Sequence, residues 1–543
     1  MNVFIGGAWP YANGSLHIGH IAALLPGDVL ARYFRAKGCT VFFVSGSDCH
    51  GTPVAIRARQ ENKTPREISD FYHNEFNECF ERLGFSYDLY GRTSSEEHKH
   101  FVSDFHRKLY NGGYVYEKAT LQAYCEKCRQ FLPDRFVKGL CPHCGEGARG
   151  DQCEACGSVL EPENLLQAKC SVCGEAPEFR SSNHLFLAIT RMKDELNNYI
   201  ENHNAWRKNA YEMSKRYIRE GLQDRSLTRD LDWGIDVPKD GFAGKKIYIW
   251  AENVLGYLSD CYTLCSRQGL DFIEFWNSCK QYYVHGKDNI PFHTIILPSL
   301  LLGRTDVKLK LPDEIISSEY LTLEGKKIST SGNWAIWAKD ILQRYNPDSI
   351  RYFLISNGPE KRDTDFTWRE FINSHNGELL GAYGNFVNRS LVFIRKSFEG
   401  KVPETQGNPG IIQSLAGLYP SVGALIEQGC IKEALDTIFA FVRMANKFFD
   451  EEQPWVTVKS DIAECRETLN ACVQIIANLS QLLEPFLPFS SEKVRNMLKI
   501  GKAVWEYIVI PGGFELGPVE ILFERIDKKV LHEETARLNI HTG

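Results

Sequence analysis

Between residues 10 and 20 the chain reads PYANGSLHIGH, and this stretch decides the fold. It separates a short apolar segment, residues 2–5, from a run in which apolar residues recur at helical spacing as far as residue 37. A second apolar run, residues 40–44, is β-branched and aromatic and predicts a buried strand. Strand, loop, helix and strand in this order predict the opening of a parallel α/β sheet.

Two histidines, His17 and His20, stand three residues apart at the predicted N-terminus of this helix. We expect their imidazoles and several free backbone amides to form one anion site, for which a polyphosphate is the natural guest. The alternative is that both histidines only cap the helix, which is the commoner role of an arbitrary pair. The glycine-rich loop before them and the motifs downstream favour the phosphate site.

Eight of the seventeen cysteines lie between residues 125 and 173, as four Cys-x-x-Cys pairs. In a large, acidic, cytosolic protein, clustered thiols indicate metal rather than disulfides. Four thiolates make one closed tetrahedral zinc site, so the pairs predict one or two structural sites without a catalytic role. The segment is poor in apolar periods, and we expect metal rather than a core to hold it. We favour a nested pairing, in which one zinc binds Cys141, Cys144, Cys153 and Cys156 and the other binds Cys125, Cys128, Cys170 and Cys173.

The composition excludes several classes of protein. A chain of 543 residues predicts several domains, each with its own core. With a net charge of -6 the chain is no polycation that coats nucleic acid, so an RNA partner must be bound by local patches. Apolar runs are too short to span a bilayer, and residues 1–7 do not resemble a signal peptide. These features predict a cytoplasmic protein without membrane contact.

Residues 17–20 spell HIGH, a signature of the class I aminoacyl-tRNA synthetases, and the sequence around them resembles the methionyl-tRNA synthetases. The second family motif, a KMSKS-type loop, is matched by KISTS at residues 327–331. Further matches cover nearly the whole chain, including GSDCHGTP at 46–53, DLDWGI at 230–235 and GKDNIPFH at 286–293. The resemblance implies an α/β fold: a split Rossmann-type parallel sheet with a zinc-binding connective insertion, followed by an all-α anticodon-binding bundle.

The resemblance also implies the site residues. The catalytic group would be His17, His20, Lys327 and Thr330, and the same residues with Lys287 and Asp288 would bind ATP and its Mg²⁺. The amino acid would be bound by Ala8, Tyr11, Asp48, Trp250, Tyr257 and His293, with Asp48 receiving the ammonium group. Thr330 replaces the second lysine of the family motif and carries no charge. More of the loop's task therefore falls on Lys326 and Lys327.

The predicted reaction is the ATP-dependent attachment of methionine to tRNA(Met) through methionyl-adenylate. The methionine pocket departs from the family, because Glu252, Asn253 and Val254 replace the usual Asp-Ala-Pro and Leu297 stands where a large aromatic is common. An apolar pocket distinguishes one methylene by only about 1–3 kcal/mol. A paralogue that charges a related amino acid therefore stays open as an alternative. A second alternative is a non-catalytic RNA-binding relative, against which the intact histidine pair, Asp48 and Lys327 argue, and a third is a class I synthetase of another specificity.

From about residue 370 the pattern predicts helices only, with apolar stripes that begin at residues 431 and 469. Trp455 lies between the striped helices and could stack on an unpaired anticodon base, or else pack beneath the bundle. Asn385 and Arg389 stand four apart, share a helix face and match the family's anticodon readers. The chain ends without the oligonucleotide-binding domain that makes many relatives dimers, so we expect a monomer.

The same reading predicts the domain boundaries. We expect the first half of the Rossmann domain at 1–115, the insertion with zinc knuckles at 116–229, the second half of the Rossmann domain at 230–320, the KMSKS-type loop with a connecting domain at 321–375, and the helical anticodon-binding domain at 376–543.

Overall fold

The structure, a computed structural model, describes residues 1–540 except residues 134–135, 151–152, 154, 157–159 and 331. Ser331 of the KISTS motif thus lies outside the described residues. The strands are β1 (Asn2–Gly7), β2 (Thr40–Ser47), β3 (Leu89–Arg92), β4 (Val115–Cys125), β5 (Gln130–Phe131), β6 (Val137–Leu140), β7 (Gly147–Arg149), β8 (Leu166–Cys170), β9 (Glu178–Leu187), β10 (Arg225–Ser226), β11 (Thr228–Arg229), β12 (Lys246–Ile247), β13 (Lys280–Gly286), β14 (Glu314–Ser318), β15 (Leu321–Leu323), β16 (Lys326–Lys327) and β17 (Thr364–Phe366).

The α-helices follow the same chain order. They are α1 (Ile18–Ala36), α2 (Thr52–Gln60), α3 (Pro65–Arg82), α4 (Glu96–Tyr110), α5 (Lys193–Glu201), α6 (Lys208–Glu220), α7 (Gly256–Gln268), α8 (Phe272–Ser278), α9 (Leu297–Gly303), α10 (Ala338–Arg344), α11 (Pro347–Ser356), α12 (Trp368–Ser374), α13 (Asn385–Ser397), α14 (Pro409–Glu427), α15 (Ile431–Glu452), α16 (Pro454–Ser460), α17 (Ile462–Leu482), α18 (Pro488–Met497) and α19 (Val530–Ile540).

A five-stranded parallel sheet organises the first part of the chain, in the spatial order β14, β13, β1, β2, β3. The central strand β1 is buried because nearly all its residues are apolar or glycine, and Phe4 pairs in register with Phe42 on one side and Gln281 on the other. The strand order reverses at β1, so a crevice opens at the carboxyl ends of β1 and β13. Open α/β sheets bind their ligands at such a point.

Two parts of the sequence-based prediction differ from the structure. The strand-like run 246–250 does not join the main sheet: β12 covers only Lys246–Ile247, pairs with β11, and is followed by a 3-10 turn at Ile249–Ala251. The aromatic composition favoured a strand, but the Ala251 amide bonds locally to the Tyr248 carbonyl at 2.8 Å. The segment 65–113, predicted as helical, contains the strand β3 between α3 and α4.

The C-terminal part is the predicted all-helical bundle, built mainly from α13 to α18. The stripe of α15 is buried as predicted, from Ile431 through Phe449. α14 is long and apolar enough to cross a membrane by length and composition. Its buried residues, Ile411, Leu415, Tyr419, Val422, Gly423 and Ile426, recur at helical spacing and form one face. This face packs against α15 and α17, as expected for a core helix of the bundle.

A buried ion pair joins the sheet to the bundle. Asp28 on α1 and Arg351 on α11 are both fully buried, and Arg351 Nη2 lies 2.7 Å from Asp28 Oδ2. Burial raises the pKa of Asp28, but the charges of Arg32 and Arg351 outweigh it and lower that pKa to about 2. The Arg351 guanidinium also donates to three backbone carbonyls, those of Leu83, Pro485 and Phe486. One arginine therefore ties α1 to the turn between α17 and α18.

Candidate functional site

The histidine pair caps helix α1, and each imidazole does so through Nδ1. His17 is the N-cap residue, and its Nδ1 accepts the Gly19 amide at 3.1 Å. In return His20 Nδ1 accepts the His17 amide at 3.1 Å, so the two rings form a capping box and lie 3.8 Å apart. The capping role and the predicted phosphate site are thus not exclusive, because only one nitrogen of each ring is used.

The remaining nitrogens set what this pair can bind. Burial, then the neighbouring His20, holds the pKa of His17 well below its usual value, and burial lowers the pKa of His20 to about 4. Both rings are therefore neutral at pH 7. Because Nδ1 accepts a hydrogen bond in each ring, the proton lies on Nε2. The pair thus offers two Nε2–H donors at the head of α1.

The prediction of several free backbone amides at this helix end is wrong. The Ile18 amide donates to the Ile336 carbonyl at 3.0 Å, and the His20 amide donates to the His17 carbonyl at 2.9 Å. The Gly19 amide is used by the His17 ring, as described above. Local capping satisfies the first-turn donors that an uncapped helix would leave open. A phosphate here would meet imidazole donors rather than backbone donors.

The loop that carries Lys327 packs directly on the histidine turn. Ser329 and Trp334 exchange two backbone hydrogen bonds of 2.9 Å and close the loop. A Cβ on Gly19 would lie 3.6 Å from Ile328 Cδ1, so the loop is in van der Waals range of the histidine turn, and it would lie only 2.9 Å from His17 Cε1, so a side chain here would displace the His17 ring. Beyond the loop, the Ala338 amide donates to the Leu16 carbonyl at 2.8 Å. The two signature motifs therefore form one continuous structure.

Two polar residues of this loop, Lys327 and Thr330, are exposed to solvent. In the described part of the chain the Lys327 ammonium makes no ion pair or hydrogen bond and is available for a ligand. Lys326 Nζ lies 4.6 Å from the centre of the Trp334 ring, a cation–π contact. Lys327 is thus the freer of the two cations beside the histidine pair.

Asp48 is buried just beyond the carboxyl end of β2 and pairs with Tyr11 through a parallel bridge. Its Oδ2 accepts the Asn253 side-chain amide at 2.6 Å, and its Oδ1 accepts the His50 backbone amide at 3.3 Å. Burial, followed by the charge of Glu252, raises the pKa of Asp48 well above its usual value. Ionisation of Asp48 is therefore unfavourable in the free protein, and a substrate cation bound beside the carboxylate would stabilise its charged form.

Aromatic residues form the rest of the predicted amino-acid pocket. Trp250 stacks on Phe292 with ring centres 3.7 Å apart, and Tyr11 meets the edge of Trp250 at 6.1 Å. His293 Nδ1 donates to the Asn289 carbonyl at 2.8 Å, so its Nε2 accepts the Tyr257 hydroxyl at 2.8 Å. Ala8 is half-buried at the end of β1, and Leu297 is fully buried at the start of α9.

Lys287 and Asp288, predicted to bind ATP, already have protein partners. Lys287 Nζ lies 2.6 Å from Glu319 and 2.9 Å from Asp363, and it sits over the ring of Tyr320 at 3.8 Å. The Tyr320 hydroxyl donates to Asp288. These contacts hold the turn after β13 at the edge of the crevice, and any ATP contact by Lys287 must compete with two carboxylates.

The eight cysteines of the insertion form two groups of four, each with all four sulfurs within 4.8 Å of one another. The groups are those of the nested pairing: Cys125, Cys128, Cys170 and Cys173, and Cys141, Cys144, Cys153 and Cys156. Sulfur separations of 3.4 and 3.9 Å in the first group and 3.8 and 3.6 Å in the second match the edge of about 3.8 Å that Zn–S bonds of about 2.3 Å impose on a tetrahedron. The residues present fit two metal ions.

Local backbone geometry explains how two of these Cys-x-x-Cys pairs turn tightly enough. Gly145 and Gly174 directly follow Cys144 and Cys173, with φ of 77° and 80°, where a side chain would be strained. The segment also has an apolar core, contrary to the expectation that metal rather than a core holds it: Ala123, Leu132, Phe136, Val137, Ala148, Leu160 and Leu165 form a small core with the buried cysteines.

The predicted anticodon residues meet on the bundle surface. The Trp455 side chain is 43% exposed, which excludes the alternative of a tryptophan packed beneath the bundle. The Arg389 guanidinium lies 5.8 Å from the Trp455 ring centre and pairs with Asp450 at 2.6 Å. Asn385 is exposed one turn earlier on α13. Arg389 and Trp455 thus form one patch that combines a cation with an open aromatic face.

Several residues of the site were not predicted. His50 bonds through Nδ1 to buried Glu252, and Asn253 holds Asp48. The sequence marked positions 252–254 only as departures from the family, because nothing in their spacing indicates a contact with Asp48. Ile328, an apolar residue inside a charged motif, was the available signal for packing of the loop on Gly19.

Comparisons with known proteins agree over the whole chain. A family model described as tRNA synthetases class I (M) matches residues 3–391, and one for the anticodon binding domain of methionyl tRNA ligase matches residues 406–540. The methionine–tRNA ligase 1 of Alkaliphilus oremlandii is 53% identical over 544 residues, covering 99% of this chain and 100% of the relative. The methionine–tRNA ligase of Bacillus mycoides is 54% identical over 543 residues, covering 99% of both chains.

A solved structure has the same fold. The methionyl-tRNA synthetase of Mycobacterium tuberculosis, in complex with methionyl-adenylate, superposes with a TM-score of 0.81. The superposition covers 96% of this chain and 100% of the other at 22% identity. The split parallel sheet followed by a helical bundle is therefore a known architecture.

Proposed function

The chain belongs to the methionine–tRNA ligase family of class I aminoacyl-tRNA synthetases, and from this membership we propose how its residues carry out the reaction. The activity is the ATP-dependent attachment of methionine to tRNA(Met) through methionyl-adenylate. The observation that carries the assignment of the active site is the junction of the histidine turn, the Lys327 loop and Asp48 around the crevice of the sheet.

In the first step the methionine carboxylate attacks the α-phosphorus of ATP and pyrophosphate leaves. Positioning and neutralisation of charge account for most catalysis of this kind. The neutral His17 and His20 rings donate from Nε2 to phosphate oxygens. The positive charge of Lys327 neutralises the negative charge that develops on the departing pyrophosphate, and Thr330 contributes at most a hydroxyl. Mg²⁺ bound to ATP would neutralise part of the phosphate charge.

The amino acid lies in the pocket lined by Ala8, Tyr11, Trp250, Tyr257 and His293. Asp48 receives its ammonium group, for which lone pairs remain after the two bonds from His50 and Asn253. In the second step the terminal ribose hydroxyl of tRNA attacks the adenylate carbonyl and AMP leaves. Lys287 and Asp288 border the crevice beside the ATP.

The overall activity is tested with the purified protein, initiator and elongator tRNA(Met), and each amino acid in turn. We expect pyrophosphate exchange with methionine and charging of both tRNAs. Exchange that depends on another amino acid and not on methionine would instead identify a paralogue of different specificity.

Removal of single thiols tests the two proposed zinc sites. We expect about two zinc ions per chain in the purified protein, and about one in Cys170→Ser or Cys144→Ser, because each substitution breaks one set of four thiolates. The metal content is measured by mass spectrometry after extensive dialysis. Cys39→Ser, which alters a free thiol outside both groups, is the matched control and keeps two. Full zinc content in both variants would contradict the sites.

Trp455→Ala tests the anticodon patch. Loss of one stacking platform, worth about 1–3 kcal/mol, is expected to raise KM for tRNA(Met) by about fivefold to a hundredfold. Methionine-dependent pyrophosphate exchange needs no tRNA and is expected to stay unchanged. The control is Phe71→Ala, which removes another exposed aromatic side chain, on α3 and outside the bundle. An unchanged KM for tRNA would remove Trp455 from the interface.

We also propose the domain boundaries, the oligomeric state and the cellular location. The domains are those of the sequence prediction, at 1–115, 116–229, 230–320, 321–375 and 376–543, and the enzyme is a cytoplasmic monomer without membrane contact. Light scattering of the purified enzyme is expected to give the mass of one chain.

A further inference from the structure

We infer that Asn253 is a positioning residue for amino-acid binding: its side-chain amide fixes the Asp48 carboxylate in the orientation that receives the substrate ammonium group. The inference rests on the proposed role of Asp48. It gives a function to a residue at which the chain departs from the usual Asp-Ala-Pro.

The contact between Asn253 and Asp48 is short and buried. Asn253 Nδ2 donates to Asp48 Oδ2 at 2.6 Å, and both side chains are buried. The other bond to this carboxylate, from the His50 amide to Oδ1, is 3.3 Å long and comes from the same loop only two residues on. Asn253 therefore supplies a side-chain donor to Asp48 from a segment 205 residues away in the sequence.

Asn253 is itself fixed by its own backbone turn and by a ring of hydrogen bonds. It begins a 3-10 turn at Asn253–Leu255, which the bond from the Leu255 amide to the Glu252 carbonyl closes at 2.9 Å. The neighbouring Glu252 bonds to His50 Nδ1, and the His50 amide returns to Asp48. Asp48, His50, Glu252 and Asn253 thus form a ring that fixes the carboxylate from both sides.

The electrostatics explain why such a ring is needed. Asp48 and Glu252 are both buried, and the charge of Glu252 opposes ionisation of Asp48, whereas the bond from Asn253 favours it. An alanine, with no donor, would leave Asp48 beside a like charge with one long hydrogen bond. Glutamate at position 252 therefore makes a donor at position 253 useful for keeping Asp48 ionised and oriented.

The test compares Asn253→Ala, Asn253→Asp and Asn253→Ser by pyrophosphate exchange, with KM and kcat measured for methionine and for ATP at several pH values. Loss of a hydrogen bond to a charged group is expected to raise KM for methionine about tenfold to a hundredfold in Asn253→Ala. Asn253→Asp keeps the shape but turns an oxygen towards Asp48, so its KM is expected to rise further. Asn253→Ser keeps a donor and is expected to recover part of the loss.

The pH profile separates positioning from a merely structural role. Without the Asn253 donor, Asp48 ionises at higher pH, so KM for methionine is expected to fall more steeply with rising pH than in the unaltered enzyme. KM for ATP is expected to stay within about twofold, which also shows that the variants are folded. Ser259→Ala, which removes a buried hydroxyl bonded to His98 rather than to Asp48, is the matched control.

The outcomes are distinguishable. An unchanged KM for methionine and an unchanged pH profile in all three Asn253 variants, with a large effect of Asp48→Asn, would overturn the inference and leave the role of Asp48 intact. If Asp48→Asn also leaves KM for methionine unchanged, the proposed ammonium site itself fails.

Discussion

Replacing His17 with asparagine is expected to slow methionine-dependent pyrophosphate exchange by about 10²–10³-fold while leaving the protein folded. Loss of one donor to a developing charge in a transition state costs this much in comparable sites. The substitution separates the two roles of the ring. Asparagine is among the best N-cap residues, so its side chain can replace Nδ1 as acceptor of the Gly19 amide. It cannot replace the Nε2–H that faces outward.

The comparison with His17→Ala makes this prediction sharp. Alanine removes both the cap and the donor, so it is expected to lose as much activity as asparagine and also about 1 kcal/mol of stability. Stability is measured by thermal melting and activity by exchange kinetics on the same preparations. If His17→Asn kept more than about a tenth of the activity, capping rather than phosphate binding would be the function of the ring.

Asp48→Asn is expected to raise KM for methionine by a factor on the order of a hundred to a thousand, with KM for ATP little changed. Removing one partner of a buried, hydrogen-bonded charge pair costs about 2–5 kcal/mol. The exchange of oxygen for an amide keeps the shape of the side chain, so the pocket is preserved. Methioninol retains the ammonium group but has no carboxylate to activate, so it serves as a competitive inhibitor. Its inhibition constant and KM for methionine are expected to rise in parallel.

The same substitution is expected to stabilise the enzyme in the absence of substrate. Burial and Glu252 raise the pKa of Asp48 above its unfolded value, so ionisation destabilises the folded state, and this penalty develops as the pH rises from about 4. Asp48→Asn removes the penalty at pH 7. We expect an equal or higher melting temperature at pH 7, and a smaller difference at pH 4. A lower melting temperature at pH 7 would contradict the unfavourable burial of this carboxylate.

The sequence predicted those parts of the fold that local pattern determines. Helical spacing after residue 17 indicated α1, and four close Cys-x-x-Cys pairs indicated metal sites before their geometry was known. The run 246–250 misled because its aromatic and β-branched residues favour a strand, whereas a local hydrogen bond from Ala251 to Tyr248 closes a 3-10 turn there. Local composition cannot show whether a backbone amide will bond within a turn or to a neighbouring strand.

The parts of the site that the sequence missed depend on contacts between distant segments. Asn253 and Asp48 are 205 residues apart, so no spacing rule joins them. The exposure of Trp455 depends on how α16 packs against the bundle, which an apolar stripe does not define. The His17 ring was placed correctly at the helix end, but only the backbone bonds to Nδ1 show which nitrogen is left for a ligand.

The buried arginine of α11 has a consequence for modularity. Sheet and bundle share one hydrophobic core whose residues range from Val3 to Leu538. Arg351 Nη2 contacts both Asp28 of the HIGH helix and the Pro485 carbonyl, and its Nε donates to the Phe486 carbonyl. A fragment without the bundle would leave guanidinium N–H groups of Arg351 without acceptors and would expose the side of α1 that packs against the bundle. Because this core and the Arg351 contacts cross between the sheet and the bundle, we expect the two parts to melt together rather than in separate transitions, and a chain divided between them to be unstable.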